Sequence, residues 1–292
     1  MPFSNKSFDD FAGARYKMNM VKNKVLDFQN SQADNTLLFF DSPHSGQDYP
    51  ADFNYICDKL ALRRAEDNYV DELYARLANK GFPFLRALFP RSYIDVNRKL
   101  YKGDDLNPRL FRTKCLSYNA EKIYAKTPDL KTIFNRIQNY YEPYHQTLGD
   151  ALNQIHKKQG GYVYLNCHSM LSETKNGHVR PYQVILSNRE GATCDDRLLE
   201  VLKACFERKG YTVGLNIFGF RGGHLVSKFS NPAENKHAIQ IEIVRKIYMN
   251  EKTLEKKDSF TKVAEDLEAI FADFNSRICS SGHIPKGKPP KR

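Results

Sequence analysis

Two histidines stand where an apolar run breaks into small polar residues: His44 after Leu37-Leu38-Phe39-Phe40, and His168 after Tyr162-Val163-Tyr164-Leu165. Each is followed by a serine and sits at the predicted end of a strand, the sheet edge where open α/β proteins bind ligands. Neutral imidazole is the commonest side-chain metal ligand. Either histidine alone reads as a hydrogen-bonded loop residue; the parallel placement of two points to a metal site at the strand ends.

Three other groups could complete such a site. Asp67 and Asp71 are four residues apart in a helical pattern, so their carboxylates share a face and repel unless a cation is near. Arg63 and Arg64 could be that cation on a solvated face, the commoner case for such spacing; a carboxylate ligand to a metal is the alternative. Asn97-Arg98, after a predicted strand, offers an amide and a planar guanidinium to a carboxylate or a developing oxyanion, with a salt bridge to Asp95 as the structural alternative. Glu242 lies in the run Gln240-Ile241-Glu242-Ile243-Val244, on the face opposite Ile241 and Ile243. A glutamate within a strand is costly to bury unless paired or catalytic, which makes Glu242 the best general-base candidate. A serine or cysteine nucleophile is disfavoured. Ser45, Cys167 and Ser169 each adjoin a histidine, but neighbouring side chains on a strand point to opposite faces, and no Gly-x-Ser-x-Gly elbow exists.

The elements that must position these residues alternate between strand and helix. Strands are predicted at 36–40, 84–88, 93–96, 162–165, 183–186, 212–217 and 238–244. Helical spacing runs over 63–79, 128–158, 195–209 and 260–278, with Pro143 kinking or dividing the second of these. Alternation of this kind predicts an α/β fold: a single domain with a central mixed sheet flanked by helices on both faces. Residues 1–35 read as an N-terminal extension, 36–280 as the catalytic unit and 281–292 as a basic disordered tail.

Composition narrows the function classes. The chain has 292 residues, 41% hydrophobic and 27% charged, an ordinary globular balance. No apolar run approaches the roughly 18 residues of a membrane span. The first thirty residues carry Asp9, Asp10 and Asp27 and no apolar signal core. Six scattered cysteines without a CxxC pair fit reduced thiols in the cytoplasm. Of the formal charge of +11, four units come from Lys286, Lys288, Lys291 and Arg292 in the tail. The rest is spread without the aromatic interleaving of a nucleic-acid module, so a small anionic substrate is the better partner for it.

The ordered set Ser-Pro-His-Ser-Gly (42–46), Asp-x-x-x-Asp (67–71), Asp-Val-Asn-Arg (95–98), Tyr-x-Pro-Tyr-His-x-x-Leu (141–148), Asn-Cys-His-Ser (166–169), Arg-Gly-Gly (221–223) and Gln-Ile-Glu (240–242) resembles the N-formylglutamate amidohydrolase family. The resemblance spans about residues 36–272; no single piece is specific, but the ordered combination is. It implies a zinc carboxypeptidase-like fold, one zinc ion and hydrolysis of the amide of a small anionic N-acyl amino acid, N-formyl-L-glutamate in the first instance. His44 and His168 would be metal ligands, Glu242 the general base and Arg98 a catalytic contact to the oxyanion. Asn97 and Arg221 would bind substrate, with His145 and His224 lining the pocket.

One departure matters. Zinc carboxypeptidases carry a glutamate ligand three residues after the first histidine, where this chain has Gln47, and a neutral amide is a poor zinc ligand. The carboxylate must come from elsewhere: Asp67 first, Asp71 second. A hydrolase of another N-acyl amino acid or short peptide, and a non-catalytic basic binding protein on the same fold, are the competing readings.

Overall fold

The computed structural model describes residues 21–22, 25–29, 36–115, 121–174 and 176–280. The basic tail, and the expected N-terminal extension except residues 21–22 and 25–29, lie outside them. Among the described residues the strands are β1 (Val21–Lys22), β2 (Leu26–Gln29), β3 (Leu38–Ser42), β4 (Phe84–Ala87), β5 (Tyr101–Lys102), β6 (Asp105–Leu106), β7 (Tyr162–Met170), β8 (Val184–Ser187), β9 (Val213–Leu215) and β10 (Lys236–Val244). The α-helices among them are α1 (Lys59–Arg63), α2 (Val70–Asn79), α3 (Leu130–Arg136), α4 (Glu142–Gln159), α5 (Asp196–Arg208), α6 (His224–Lys228) and α7 (Ser259–Ser280).

Eight strands form one mixed sheet in the order β1-β2-β4-β3-β7-β10-β8-β9, and β5 pairs with β6 alone. The centre, β4-β3-β7-β10, is parallel, while β2 and β8 run antiparallel to their inner neighbours. Parallel strands need crossover helices, and these cover both faces. Helices α2, α5 and α7 pack on one face against Leu38, Phe40, Val163, Leu165, Ile239 and Ile241. Residues of α1 and α4 pack on the other with Phe39, Tyr164 and Ala238.

The second face carries the site. Along it β7 runs Tyr164, Asn166, His168 and β10 runs Ala238, Gln240, Glu242, so each strand passes from apolar to polar toward its C-terminal end. The parallel register sets Asn166 beside Gln240 and His168 beside Glu242. Because facing residues of adjacent strands share a face, this pairing alone makes the second histidine and the glutamate neighbours.

Several sequence expectations change here. His168 lies inside β7 rather than beyond its end, because Gln240–Val244 pairs with the strand as far as Met170. The stretch 63–79 is not one helix. Tyr69 takes a left-handed conformation (φ 64°) directly before Val70, so Asp67 precedes α2 and Asp71 falls in its first turn. The two carboxylates therefore do not share a helical face. Tyr93–Val96 is not a strand: Tyr93 N–H bonds Pro90 O and Asp95 N–H bonds Leu110 O. Its apolar residues reflect burial, not extension. Pro143 does not divide the long helical stretch: helical backbone continues from α3 into α4, with a π-turn at Ile137–Tyr141 just ahead of the proline. β2 was missed because its Leu26-Asp27-Phe28-Gln29 is short and half polar. It is ordered by pairing with β4 and by Arg86 bonding Asp27 at 3.0 Å.

The core of the first face is aromatic. Phe271 of α7 is fully buried, with ring centroids 4.9 Å from Phe40, 5.8 Å from Tyr74 and 5.9 Å from Phe206. It thus ties α7 to the sheet and to α2 and α5. Phe271→Ala is expected to cost about 3–5 kcal/mol, measured by urea unfolding; a loss below about 1 kcal/mol would show that this cluster collapses around the cavity.

Candidate metal centre

Three buried side chains converge at the C-terminal ends of β3 and β7. One donor atom each from His44, Asp67 and His168 lies within 4.8 Å of the others. His44 Nδ1 is 3.4 Å and His168 Nδ1 2.9 Å from Asp67 Oδ2. The loop after β3 is bound to the turn before α2: Asp67 N–H donates to His44 O at 3.0 Å, and Ser45 Oγ donates to Asp67 O at 3.0 Å. The local Pro-His-Ser turn is thereby locked onto a segment more than twenty residues away.

The second nitrogens decide which atoms face the centre. His44 Nε2 is 2.7 Å from Asp95 Oδ1. A carboxylate only accepts, so Nε2 carries the proton and Nδ1 keeps a lone pair. Nδ1 is buried and has no hydrogen-bond partner. His168 Nε2 is 2.8 Å from Asn166 Oδ1. The Asn166 amide is oriented by its own Nδ2, which donates to Asp41 Oδ1 at 2.8 Å. With a metal ion bound, the His168 proton would sit on Nε2 and be given to Asn166, leaving a second Nδ1 lone pair toward the centre; in the metal-free protein Nδ1, 2.9 Å from Asp67 Oδ2, donates to that carboxylate. Two imidazoles and a carboxylate, each ring anchored through its far nitrogen, form a donor set that suits a divalent cation.

Electrostatics support this. Burial works against ionisation of Asp67, but the His168 and His44 contacts outweigh it and hold its pKa well below the ordinary range. Burial lowers the His168 pKa to about 4, keeping the imidazole neutral. For Asp95, burial is outweighed by its contacts with His44 and Arg91, and its pKa is also well below normal. Glu242 moves the other way: desolvation, then the charge of Asp67, raise its pKa well above normal. Its carboxylate accepts from Gln240 Nε2 at 3.0 Å. By surface area Glu242 is partly accessible whereas its surroundings are densely packed; we take it as a desolvated group with an open edge.

Asp71 stays outside the centre. It pairs with Arg86 at 3.0 Å, on the side facing Asp27. Asn97 is buried between elements: its Oδ1 accepts from Leu225 N–H at 2.9 Å and its Nδ2 lies 3.1 Å from His168 Nε2. Arg98 reaches the mouth, with Nε 3.8 Å from Asp95 Oδ2. A cleft of about 670 Å³ opens from Asn97, lined by Arg98, Lys99, Arg109, Arg189 and His224 among others. His224 Nδ1 is buried without a partner. Burial, then Lys228 and Lys99, lower the His224 pKa to about 4. His145 sits behind this wall, not on it. Its Nε2 donates to Val96 O at 2.9 Å, its Nδ1 accepts from Lys228 Nζ at 3.0 Å, and its ring stacks on Tyr141. Arg221 lies on the outer surface, 3.2 Å from Glu190.

Two arginines escaped sequence reasoning. Arg245 Nη2 donates to Asp67 Oδ1 at 3.1 Å, and Arg91 Nη2 donates to Asp95 Oδ2 at 2.9 Å. Arg91 sits in the Arg-Ser-Tyr-Ile-Asp run ahead of Asn97-Arg98, and Arg245 follows Glu242 by three residues. A cation near each buried acid was the only available signal.

The fold and this cluster define a mixed-sheet α/β protein with a buried His-Asp-His group able to hold a metal ion. Residues 36–249 match the profile of the N-formylglutamate amidohydrolase family, so the chain belongs to that family. An N-formylglutamate deformylase of Pseudomonas putida is 29% identical over 63% of this chain and 71% of its own. A second, from Pseudomonas aeruginosa, is 26% identical over 78% and 86%. Both relatives are hydrolases of a non-peptide amide bond. The crystal structure of an N-formylglutamate amidohydrolase from Ralstonia eutropha JMP134 superposes with a TM-score of 0.77 at 30% identity, covering 87% of this chain and 98% of that one.

Gly223 shows how tightly the centre is packed. A Cβ there would lie 2.3 Å from Asn97 Oδ1, so the Gly222-Gly223 pair permits close approach rather than motion. Gly223→Ala is expected to displace Asn97 and cost about 1–3 kcal/mol in urea unfolding; unchanged stability would mean the turn moves aside freely.

Proposed function

We propose that this protein is a zinc-dependent amidohydrolase that cleaves N-formyl-L-glutamate to formate and L-glutamate. The carrying observation is the convergence of His44 Nδ1, His168 Nδ1 and Asp67 Oδ2, with Glu242 beside His168 across paired strands, in a member of this family. The nitrogen and oxygen donors are those zinc takes in hydrolytic sites, with positions left open for water and substrate. We assign the activity to residues 36–280.

Bound zinc would polarise the formyl oxygen and acidify a water. Glu242 takes a proton from the water that attacks the formyl carbon, and returns it to the nitrogen as the C–N bond breaks. Desolvation and the charge of Asp67 oppose its ionised form, needed for the first step, and the charges of Arg91 and Arg245 offset that only in part. Arg98 at the cleft mouth faces the negative charge developing on the formyl oxygen. Asn97 holds the His168 side of the centre and His145 braces the turn that carries it. The surplus of cations in the cleft suits an anionic substrate. No helix among the described residues is long and apolar enough to cross a membrane, and the six free thiols fit a reducing, cytoplasmic setting.

Two measurements test this reading. Glu242→Gln should lower formate release by about 10²–10⁴-fold while zinc content stays near that of wild type; wild-type turnover in that variant would remove Glu242 from the base role. By calorimetric zinc titration, Asp67→Asn should weaken binding by more than the roughly 10–100-fold typical of outer-shell losses, and Asp71→Asn should leave it unchanged. Equal losses in the two variants would reject Asp67 as the carboxylate ligand. N-acetyl and N-succinyl amino acids, run beside the formyl substrate, report the acyl preference.

A further inference from the structure

The cleft beside Asn97 carries Arg98, Lys99, Lys102, Arg109 and Arg189 and no aspartate or glutamate in its lining. Among the described residues, Lys99, Lys102, Arg109 and Arg189 form no ion pair, and only Arg98 has a carboxylate near it, at 3.8 Å. Such a wall is selective for anions, but most of these groups are held by nothing. Lys99, Lys102 and Arg109 lie on or beside the exposed β5-β6 ribbon without a fixing side-chain hydrogen bond.

Arg189 differs. Its Nη1 donates to Gly222 O at 3.0 Å, and its stem lies where a Cβ of Gly222 would be, 3.3 Å from Cγ. Gly222 itself is in the left-handed region (φ 106°). The guanidinium is therefore pinned one residue from Gly223, whose backbone packs on Asn97, the residue touching His168. Its backbone is unusual as well: Arg189 (φ 53°), Glu190 (φ 58°) and Gly191 (φ 86°) are three consecutive left-handed residues, two of them not glycine. Such conformations persist only where the surroundings impose them. Here Asn216 Oδ1 accepts from the N–H groups of Asn188 and Glu190, and the Glu190–Arg221 pair ties the loop to the Gly222-Gly223 turn. Arg221 thus crosslinks two loops on the outer surface, while Arg189 lines the cleft with Arg98 and Arg109 and is held there by Gly222 O.

We propose that Arg189 is the specificity-determining residue, its free Nε and Nη2 gripping the side-chain carboxylate of an N-formylated acidic amino acid. One nitrogen is already used on Gly222 O, which orients the planar fork that a carboxylate accepts bidentately. This inference rests on the deformylase reading and adds to it which residue separates glutamate from its neutral isostere.

The test compares kcat/KM of the zinc-loaded full chain on N-formyl-L-glutamate and N-formyl-L-glutamine. Wild type is expected to prefer the glutamate compound. Arg189→Met should lower kcat/KM on it by roughly 10–100-fold, the range for a charged hydrogen bond, mainly through KM. Turnover of the glutamine compound should stay within about threefold of wild type, which also reports that the variant is folded. Arg189→Lys, keeping charge but not the fork, should fall between. Equal losses on both substrates, or an unchanged preference in Arg189→Met, would overturn the assignment. Wild type that hydrolyses neither compound would instead reject the deformylase reading beneath it.

Discussion

A carboxylate buried to 2% exposure is expensive unless charges and donors surround it, and Asp67 is where this chain accepts that cost. His44, His168 and Arg245 contact it directly, and Arg91 lies 4.0 Å away. These partners come from the loop after β3, from β7, from the end of β10 and from the segment after β4. Removing any one leaves a buried charge short of compensation. The turn before α2 is therefore bound to four separate parts of the chain at one point, and that point is the donor cluster itself.

Around it runs an outer layer whose role is orientation. Asp95 holds His44 and is itself held by Arg91. Asp41, fully buried, accepts from Tyr144, Tyr164 and Asn166 at 2.8 Å each, and Asn166 passes that constraint to His168. Burial raises the Asp41 pKa to about 6 against the pull of those donors. A protein that needed only a stable core would fill these positions with apolar residues of similar volume. Here the same sheet face that packs Phe39, Tyr164 and Ala238 below turns polar above, and the polar part is linked without a break to the imidazoles.

Much of this was legible in the chain. The strand-helix alternation yielded the mixed sheet and most elements, because apolar periodicity reports burial directly. The histidines, Asp67, Asn97-Arg98 and Glu242 were each visible as polar residues in places where burial of a polar group requires a reason. What was misread shares a different cause. The helix at 63–79 was broken by a left-handed Tyr69, and Tyr93–Val96 looked extended because it is buried. The partners of Arg221 and His145, Glu190 and Val96 O, lie far from them in sequence and leave no local signature.

By itself, the sequence determined which residue types were available, the period of each element and hence the layered architecture, since these depend on near neighbours. Only the tertiary structure chose Asp67 over Asp71, put Asp71 against Arg86, and set His168 inside β7 opposite Glu242. It also brought Arg91, Arg245 and Arg189 to the acids and the cleft. Those choices depend on strand register and on contacts between segments tens to more than a hundred residues apart, distances at which neither propensity nor spacing carries information.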